Sequence, residues 1–214
     1  MTANWWVEHS GIVDHAFRAV LFDYGGILTA TYREAAFLSE LASKFAVRPD
    51  ELRMVLREGR LLLDLSLGRC AEEDMVAQVC AALPGARPIH AEEVMASSFE
   101  PNTRVLELIE LLRRRSTAKI CVASNIFPRG ALYLRELGVA DRFDHLFFSC
   151  EFGVRKPDPA FLDRACEAMS AKPSDCLLFD DLDSDVAAAR ELGMTSIRVC
   201  SREDLVAGLE GLLR

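Results

Sequence analysis

The order in which apolar runs and helical patterns follow one another limits this chain most. Five short stretches rich in Val, Ile, Leu, Phe and Cys punctuate it: AVLFD (19–23), KICVASN (119–125), HLFFS (145–149), CLLFDD (176–181) and SIRVC (196–200). Each is continuously apolar rather than alternating, which predicts strands covered on both faces, as in a parallel sheet. Helical patterns separate them in NTRVLELIELLRRR (102–115), RGALYLRELGV (129–139), DPAFLDRACEAM (158–169) and DSDVAAARELGM (183–194). Two of these run into a glycine suited to a helix C-terminus, Gly138 and Gly193. Strand alternating with helix predicts an α/β fold with a doubly wound parallel sheet. Residues 32–98 break the alternation: REAAFLSELASKFAV, PDELRMVLREGRLLLDLSLG and AEEDMVAQVCAAL are helix after helix with no strand between. That block predicts a helical insertion after the first strand.

Composition narrows the function classes. A length of 214 residues, half of them hydrophobic, allows one full core and a small second one. The net charge of -8 disfavours nucleic acid and anionic lipid as partners, since both select clustered Lys and Arg; the run RRRS (113–116) reads as a helix C-terminus favoured by its dipole. A small soluble ligand is the expectation. Seven cysteines, with no CxxC pair and several inside apolar runs, predict reduced core thiols rather than a disulfide framework or a zinc site. No secretory leader and no bilayer-spanning run is apparent, so the expected location is the cytoplasm. The first 18 residues, with Trp5 and Trp6, read equally as a packed extension or as disorder.

In an open parallel sheet, ligands sit beyond the carboxyl ends of the strands. The residues closing the apolar runs are Asp23 with Gly25 and Gly26, then Ser124 with Asn125; Lys156 follows in the loop GVRKPDP, and Asp180, Asp181 and Asp185 complete the set. Lys156 is expected at the start of the following helix. Carboxylates, a hydroxyl and an ammonium at one edge suit an anionic electrophile such as a phosphate ester. Asp23 would be a nucleophile held ionised by a cation, and Asp181 would join it on a hard ion such as Mg²⁺. Lys156 would balance charge and Ser124 would donate to a phosphoryl oxygen. Asp185, four residues after Asp181, would face the same site and orient Lys156 or a metal-bound water. Asp180 reads as a loop acceptor and Asp183 as exposed, while Tyr24 either lines the pocket or packs beneath the insertion.

These residues resemble the haloacid dehalogenase-like (HAD) hydrolases, most of which are phosphatases. VLFDYGGIL is similar to the first motif of that family, VASN to the second, RKPDP to the third and LLFDDLDSDVAAARELGM to the fourth, in order across residues 18–200. The resemblance implies a Rossmann-like core (1–31 and 99–214), a helical cap (32–98), Mg²⁺ dependence and a covalent aspartyl intermediate. It implies Asp23, Ser124 and Lys156 as catalytic residues, Tyr24, Gly26, Ser124, Asn125 and Lys156 around a small phosphorylated metabolite, and Asp23, Asp181, Asp185 and the Gly25 carbonyl around the metal.

One departure stands out. The common phosphatase motif is DxD, whose second acid protonates the leaving oxygen and then activates water; here that position is Gly25. General acid–base help is worth about 10² to 10⁴ in rate, so its loss need not abolish turnover of a phosphate whose leaving group needs little protonation, such as an anomeric or acyl phosphate. Glu34 or Asp64 could supply another acid. Three functions therefore stay open: a Mg²⁺-dependent phosphatase, a catalytically weak or inactive descendant that binds a phosphometabolite or a protein, and a metal-free 2-haloacid dehalogenase.

Overall fold

The computed structural model describes residues 17–29, 34–94, 102–136, 138 and 140–213; Trp5, Trp6 and the rest of the first 16 residues lie outside them. Five strands, β1 (Ala19–Phe22), β2 (Lys119–Ser124), β3 (His145–Phe148), β4 (Cys176–Asp180) and β5 (Thr195–Arg198), form one sheet in the order β3-β2-β1-β4-β5. All four pairings are parallel, and β1 lies between β2 and β4, with Phe22 opposite Val122 and Phe179.

Successive residues of one strand face opposite sides of a sheet. Here Ala19 and Leu21 enter one apolar cluster while Val20 and Phe22 enter another, and β4 divides the same way, Cys176 and Leu178 against Leu177 and Phe179. Both faces are therefore covered, which is why the strands read as unbroken apolar runs. Phe22 and Phe179 stack across the neighbouring strands with centroids 5.1 Å apart. Helix α5 (Thr103–Arg115) covers one face with Val105, Leu108, Ile109 and Leu112, helped by α10 (Arg202–Leu212). Helix α8 (Pro159–Ala168) covers the other with Phe161, Leu162 and Ala165.

Local chemistry sets the helix ends. Asn102 caps α5 through Val105 N, Asp158 caps α8 through Ala160 N with Pro159 following it, and Ser201 caps α10 through Asp204 N. Arg113, Arg114 and Arg115 close α5, as read from RRRS. Gly138 and Gly193 both take positive φ, 67° and 82°, just past α6 (Pro128–Glu136) and α9 (Asp183–Glu191). A short helix, α7 (Ser149–Phe152), and α10 extend the alternation beyond the sequence reading.

Among the described residues, four α-helices lie between β1 and α5: α1 (Glu34–Phe45), α2 (Pro49–Glu58), α3 (Leu61–Ser66) and α4 (Glu72–Ala82). The pattern over 49–68 reads as one helix but divides at Gly59 and Arg60, where Arg60 takes φ +53°. This block has its own apolar cluster, including Phe37, Leu41, Phe45, Leu52, Leu65 and Met75. No helix among the described residues is long and apolar enough to cross a membrane. All seven cysteines are free thiols; Cys121, Cys166 and Cys176 are buried, and Cys200 is exposed.

Candidate active site

Strand order reverses about β1, so a crevice opens beyond the carboxyl ends of β1 and β4. Asp23 directly follows β1, Asp180 closes β4 and Asp181 comes next. Oxygens of these three carboxylates lie within 4.8 Å of one another. Mg²⁺ takes oxygen ligands, so three carboxylates gathered at one point suit a small, hard cation in chemistry.

Lys156 reaches the same point from the opposite side. Its ammonium is buried, 2.5 Å from Asp180 Oδ2, 3.0 Å from Asp23 Oδ1 and 3.7 Å from Asp185 Oδ2. Burial alone would lower its pKa, but Asp23, Asp180 and Asp185 outweigh that and hold the amine above its ordinary value. Complete burial pushes the Asp180 carboxyl up against the pull of Lys156. Asp181 is pushed up to about 6, first by burial and then by the neighbouring charge of Asp23. Four acids against one ammonium leave the cluster short of positive charge, an electrostatic condition that a divalent cation relieves.

The structure gives several of the expected site residues specific partners. Lys156 does not open a helix: α8 begins at Pro159, and Lys156 sits in the preceding turn. It is held there by Asn125, whose amide donates from Nδ2 to Lys156 O at 2.9 Å and accepts from Lys156 N at Oδ1, also at 2.9 Å. Asn125, expected to touch substrate, is thus engaged with the lysine's main chain. Asp185, expected among metal ligands, stands apart from the acid trio; the first turn of α9 turns it toward Lys156, where it also accepts from Ser184 Oγ at 2.9 Å. Asp180, read as a loop acceptor, does accept from Leu182 N at 3.0 Å, but its other oxygen meets Lys156. Asp183 is exposed and pairs with Arg198.

The glycine loop also divides in two. Gly26 takes φ +76°, and a Cβ there would lie 2.3 Å from Asp181 Oδ2. Glycine at position 26 therefore lets the Asp181 carboxyl close in on the loop. Gly25, unlike Gly26, is not among the glycines of positive φ. Tyr24 is buried in the main apolar cluster with Phe22 and Val105, so packing is the role of the two that its surroundings supply; burial raises its hydroxyl pKa. Ser124 ends β2, 3 % exposed.

The proposed substitute acids diverge. Asp64, on α3, is half-buried and pairs with Arg69 at 3.6 Å. Glu34 opens α1, and its side chain lies outside the described ones.

Polar contacts that the sequence did not signal join the helical block to the sheet layer. Glu72, 1 % exposed at the start of α4, accepts from Arg129 N at 2.9 Å in the first turn of α6; burial pushes its carboxyl up. The Arg129 guanidinium meets Glu73 at 2.5 Å and Glu92 at 3.2 Å. Arg155, next to the buried lysine, donates to Ser66 Oγ at 2.9 Å. AEED had read as a helix start and no more.

Known proteins share this arrangement of elements. The structure aligns with a magnesium and inorganic phosphate complex of a HAD family enzyme from Bacteroides thetaiotaomicron at TM-score 0.72, with 19 % identity over 88 % of this chain and 96 % of that one. At the sequence level the chain is 28 % identical to mouse acyl-CoA dehydrogenase family member 10 over 96 % of itself, but it spans only 20 % of that protein's length. It is 24 % identical to the sesquiterpene phosphatase astK of Aspergillus oryzae, over 86 % of this chain and 90 % of that one. Residues 17–193 match the haloacid dehalogenase-like hydrolases, which covers β1, the helical block and every residue of the crevice. The chain therefore belongs to the haloacid dehalogenase-like hydrolase family.

Proposed function

We propose that this protein is a Mg²⁺-dependent phosphatase of small phosphorylated metabolites, working through a phosphoryl group carried on Asp23. The observation that carries the reading is the convergence of Asp23, Asp180 and Asp181 oxygens within 4.8 Å, with Lys156 Nζ 3.0 Å from the proposed nucleophile. Asp23 and Asp181, with the Gly25 carbonyl, would hold the ion, and Mg²⁺ bound there would neutralise charge on the transferring phosphoryl oxygens. Lys156, 3.0 Å from Asp23, adds a second positive charge beside the phosphoryl group. Asp180, Asp185 and Asn125 fix the lysine in place, and Ser124 donates to a phosphoryl oxygen. An Asp23 oxygen attacks phosphorus, the ester bond breaks, and water then cleaves the acyl phosphate.

In this reading residues 32–98 act as a cap over a core of 1–31 and 99–214, and the block's own apolar cluster supports its moving as a unit. A metal-free dehalogenase would have no use for an acid trio matched to a hard cation. Gly25 favours the second reading, a phosphate binder with little turnover. Phosphate release from a metabolite panel, in Mg²⁺ and in EDTA, separates the two: Mg²⁺-dependent turnover lost in Asp23→Asn supports the phosphatase, and background release under all conditions rejects it.

A further inference from the structure

We propose that Glu72, in the helical block, is a positioning residue for the buried lysine: it fixes the loop between β2 and α6, and Asn125 of that loop clamps Lys156. The inference rests on the phosphatase reading for what the lysine does in turnover, and on hydrogen bonds alone for what holds it.

The sequence gives α6 no cap of its own. Phe127, the residue before it, has no side-chain acceptor, and its first residue, Pro128, has no N–H. Ala131 N turns back to Phe127 O at 3.0 Å. Arg129 N, in the same turn, donates to Glu72 Oε1 at 2.9 Å, an acceptor from 57 residues earlier in the chain. Glu72 is 1 % exposed, so removing its carboxyl leaves a main-chain donor shut away from bulk water.

The rest of the loop is clamped from the sheet layer. Ile126 N donates to Ser149 Oγ at 3.1 Å, and that hydroxyl donates back to Ile126 O at 3.4 Å. Asn125 holds both main-chain groups of Lys156 at 2.9 Å. The Glu72 contact thus stands one helical turn along the chain from the residue that grips the lysine.

The block touches the other side of the lysine as well. Arg155, directly before Lys156, donates to Ser66 Oγ at 2.9 Å, and a Cβ on Gly68 would lie 1.9 Å from Cys150 O, beside Ser149. Lys156 Nζ is shared among Asp180, Asp23 and Asp185 at 2.5, 3.0 and 3.7 Å. A main chain free to drift no longer fixes how the ammonium divides among them. Glu73 gives the contrast: it meets the Arg129 guanidinium at 2.5 Å at the same junction, but this pair is partly exposed and bypasses the α6 main chain.

Amide hydrogen exchange, read without substrate, and steady-state kinetics with 4-nitrophenyl phosphate in Mg²⁺ test this. Glu72→Met removes the acceptor. Exchange at Ile126, Arg129 and Lys156 should speed up about tenfold or more, the weight of one buried hydrogen bond, while β5 and α10 keep wild-type rates. The value of kcat should fall by a similar factor with KM little changed. Glu72→Gln keeps an acceptor oxygen and should bring both readouts back toward wild type. Glu72→Asp, with its oxygens one methylene group further back, should fall between, and its contrast with Gln carries the test if the Met variant does not fold. Glu73→Gln should match the wild type in exchange and kcat. Wild-type exchange at Lys156 in folded Glu72→Met or Glu72→Asp would overturn the inference. An equal effect from Glu73→Gln would overturn it too, since docking of the block would then be all that matters. The expected exchange pattern in a protein with no phosphatase activity would instead remove the phosphatase reading and leave the clamp standing.

Discussion

The sheet layer and the helical block are both closed around apolar clusters, yet they use charge in opposite ways. In the sheet layer, acids are drawn inward: Asp23, Asp180 and Asp185 are all under one-tenth exposed and face one buried ammonium. In the block, most ion pairs among the described residues are short-range surface pairs such as Arg48 with Glu51 and Lys44 with Glu40, and the one buried acid among those residues, Glu72, points out of the block toward α6. Exposed pairs contribute little to stability, whereas buried like charges are retained only with strict pairing. The difference separates a part shaped for chemistry from a part shaped for packing, joined through polar contacts that can be exchanged for water.

The largest test of that contrast is at the lysine. Lys156→Met should reduce phosphatase activity by about 10²-fold or more, and should destabilise the fold by about 3–5 kcal/mol because three buried carboxylates lose their counter-ion. Activity assays and denaturant unfolding read the two effects, and a stable, fully active variant would break the comparison. In the block, Phe45→Ala should cost about 3–5 kcal/mol through cavity formation without touching the crevice. Hydrogen exchange should then speed up across 34–94 ahead of the strands, and equal loss of protection in β1 and β4 would argue for a single cooperative unit.

Gly26→Ala tests the loop. Forcing a side chain into a positive-φ position against Asp181 should cost about 1–3 kcal/mol and weaken Mg²⁺ binding measured by calorimetry; unchanged affinity would mean the acid has room to spare. At the junction, Glu72→Gln should cost about 1 kcal/mol, and its effect on the melting temperature should stay well below that of Phe45→Ala.

The smallest effect is on pH dependence. Asp181 is raised from 3.8 to about 6, so between those values the folded chain keeps a proton that the unfolded chain has released. Metal-free protein should therefore lose stability as pH rises through that window. Mg²⁺ favours the ionised acid, so melting curves should show a larger Mg²⁺ stabilisation at about pH 7.5 than at about pH 5. The reverse order would remove Asp181 from the metal site.

Much of this is legible in the sequence. Continuous apolar runs predicted strands buried on both faces because a parallel sheet exposes neither, and the residues closing β1, β2 and β4 had to stand at one edge because parallel strands end together. The break at Gly59 and Arg60 was not legible, since LREGRLLL keeps a helical apolar spacing through the turn. Asp180 carried a readable signal, an acid inside an apolar strand that needs a buried cation, but its adjacency to Asp181 concealed which of the two would meet Lys156. Glu72 carried none, and Asn125, marked as closing an apolar run, gave no sign of its partner: each acts on a main-chain group dozens of residues away in sequence, Arg129 and Lys156.

What the sequence determined by itself was therefore the set of elements, their order and the chemical types gathered at one sheet edge, because local periodicity and strand polarity fix all three. Only the tertiary structure decided which partners those groups choose. It set Asp185 and Asn125 on the lysine and brought Asp181 so close to Gly26 that a side chain there would clash. The physical reason is that charge pairing, backbone clamping and close approach depend on distances of about 3 Å, set to within a few tenths of an ångström, between segments far apart in the chain, and sequence spacing does not encode such distances.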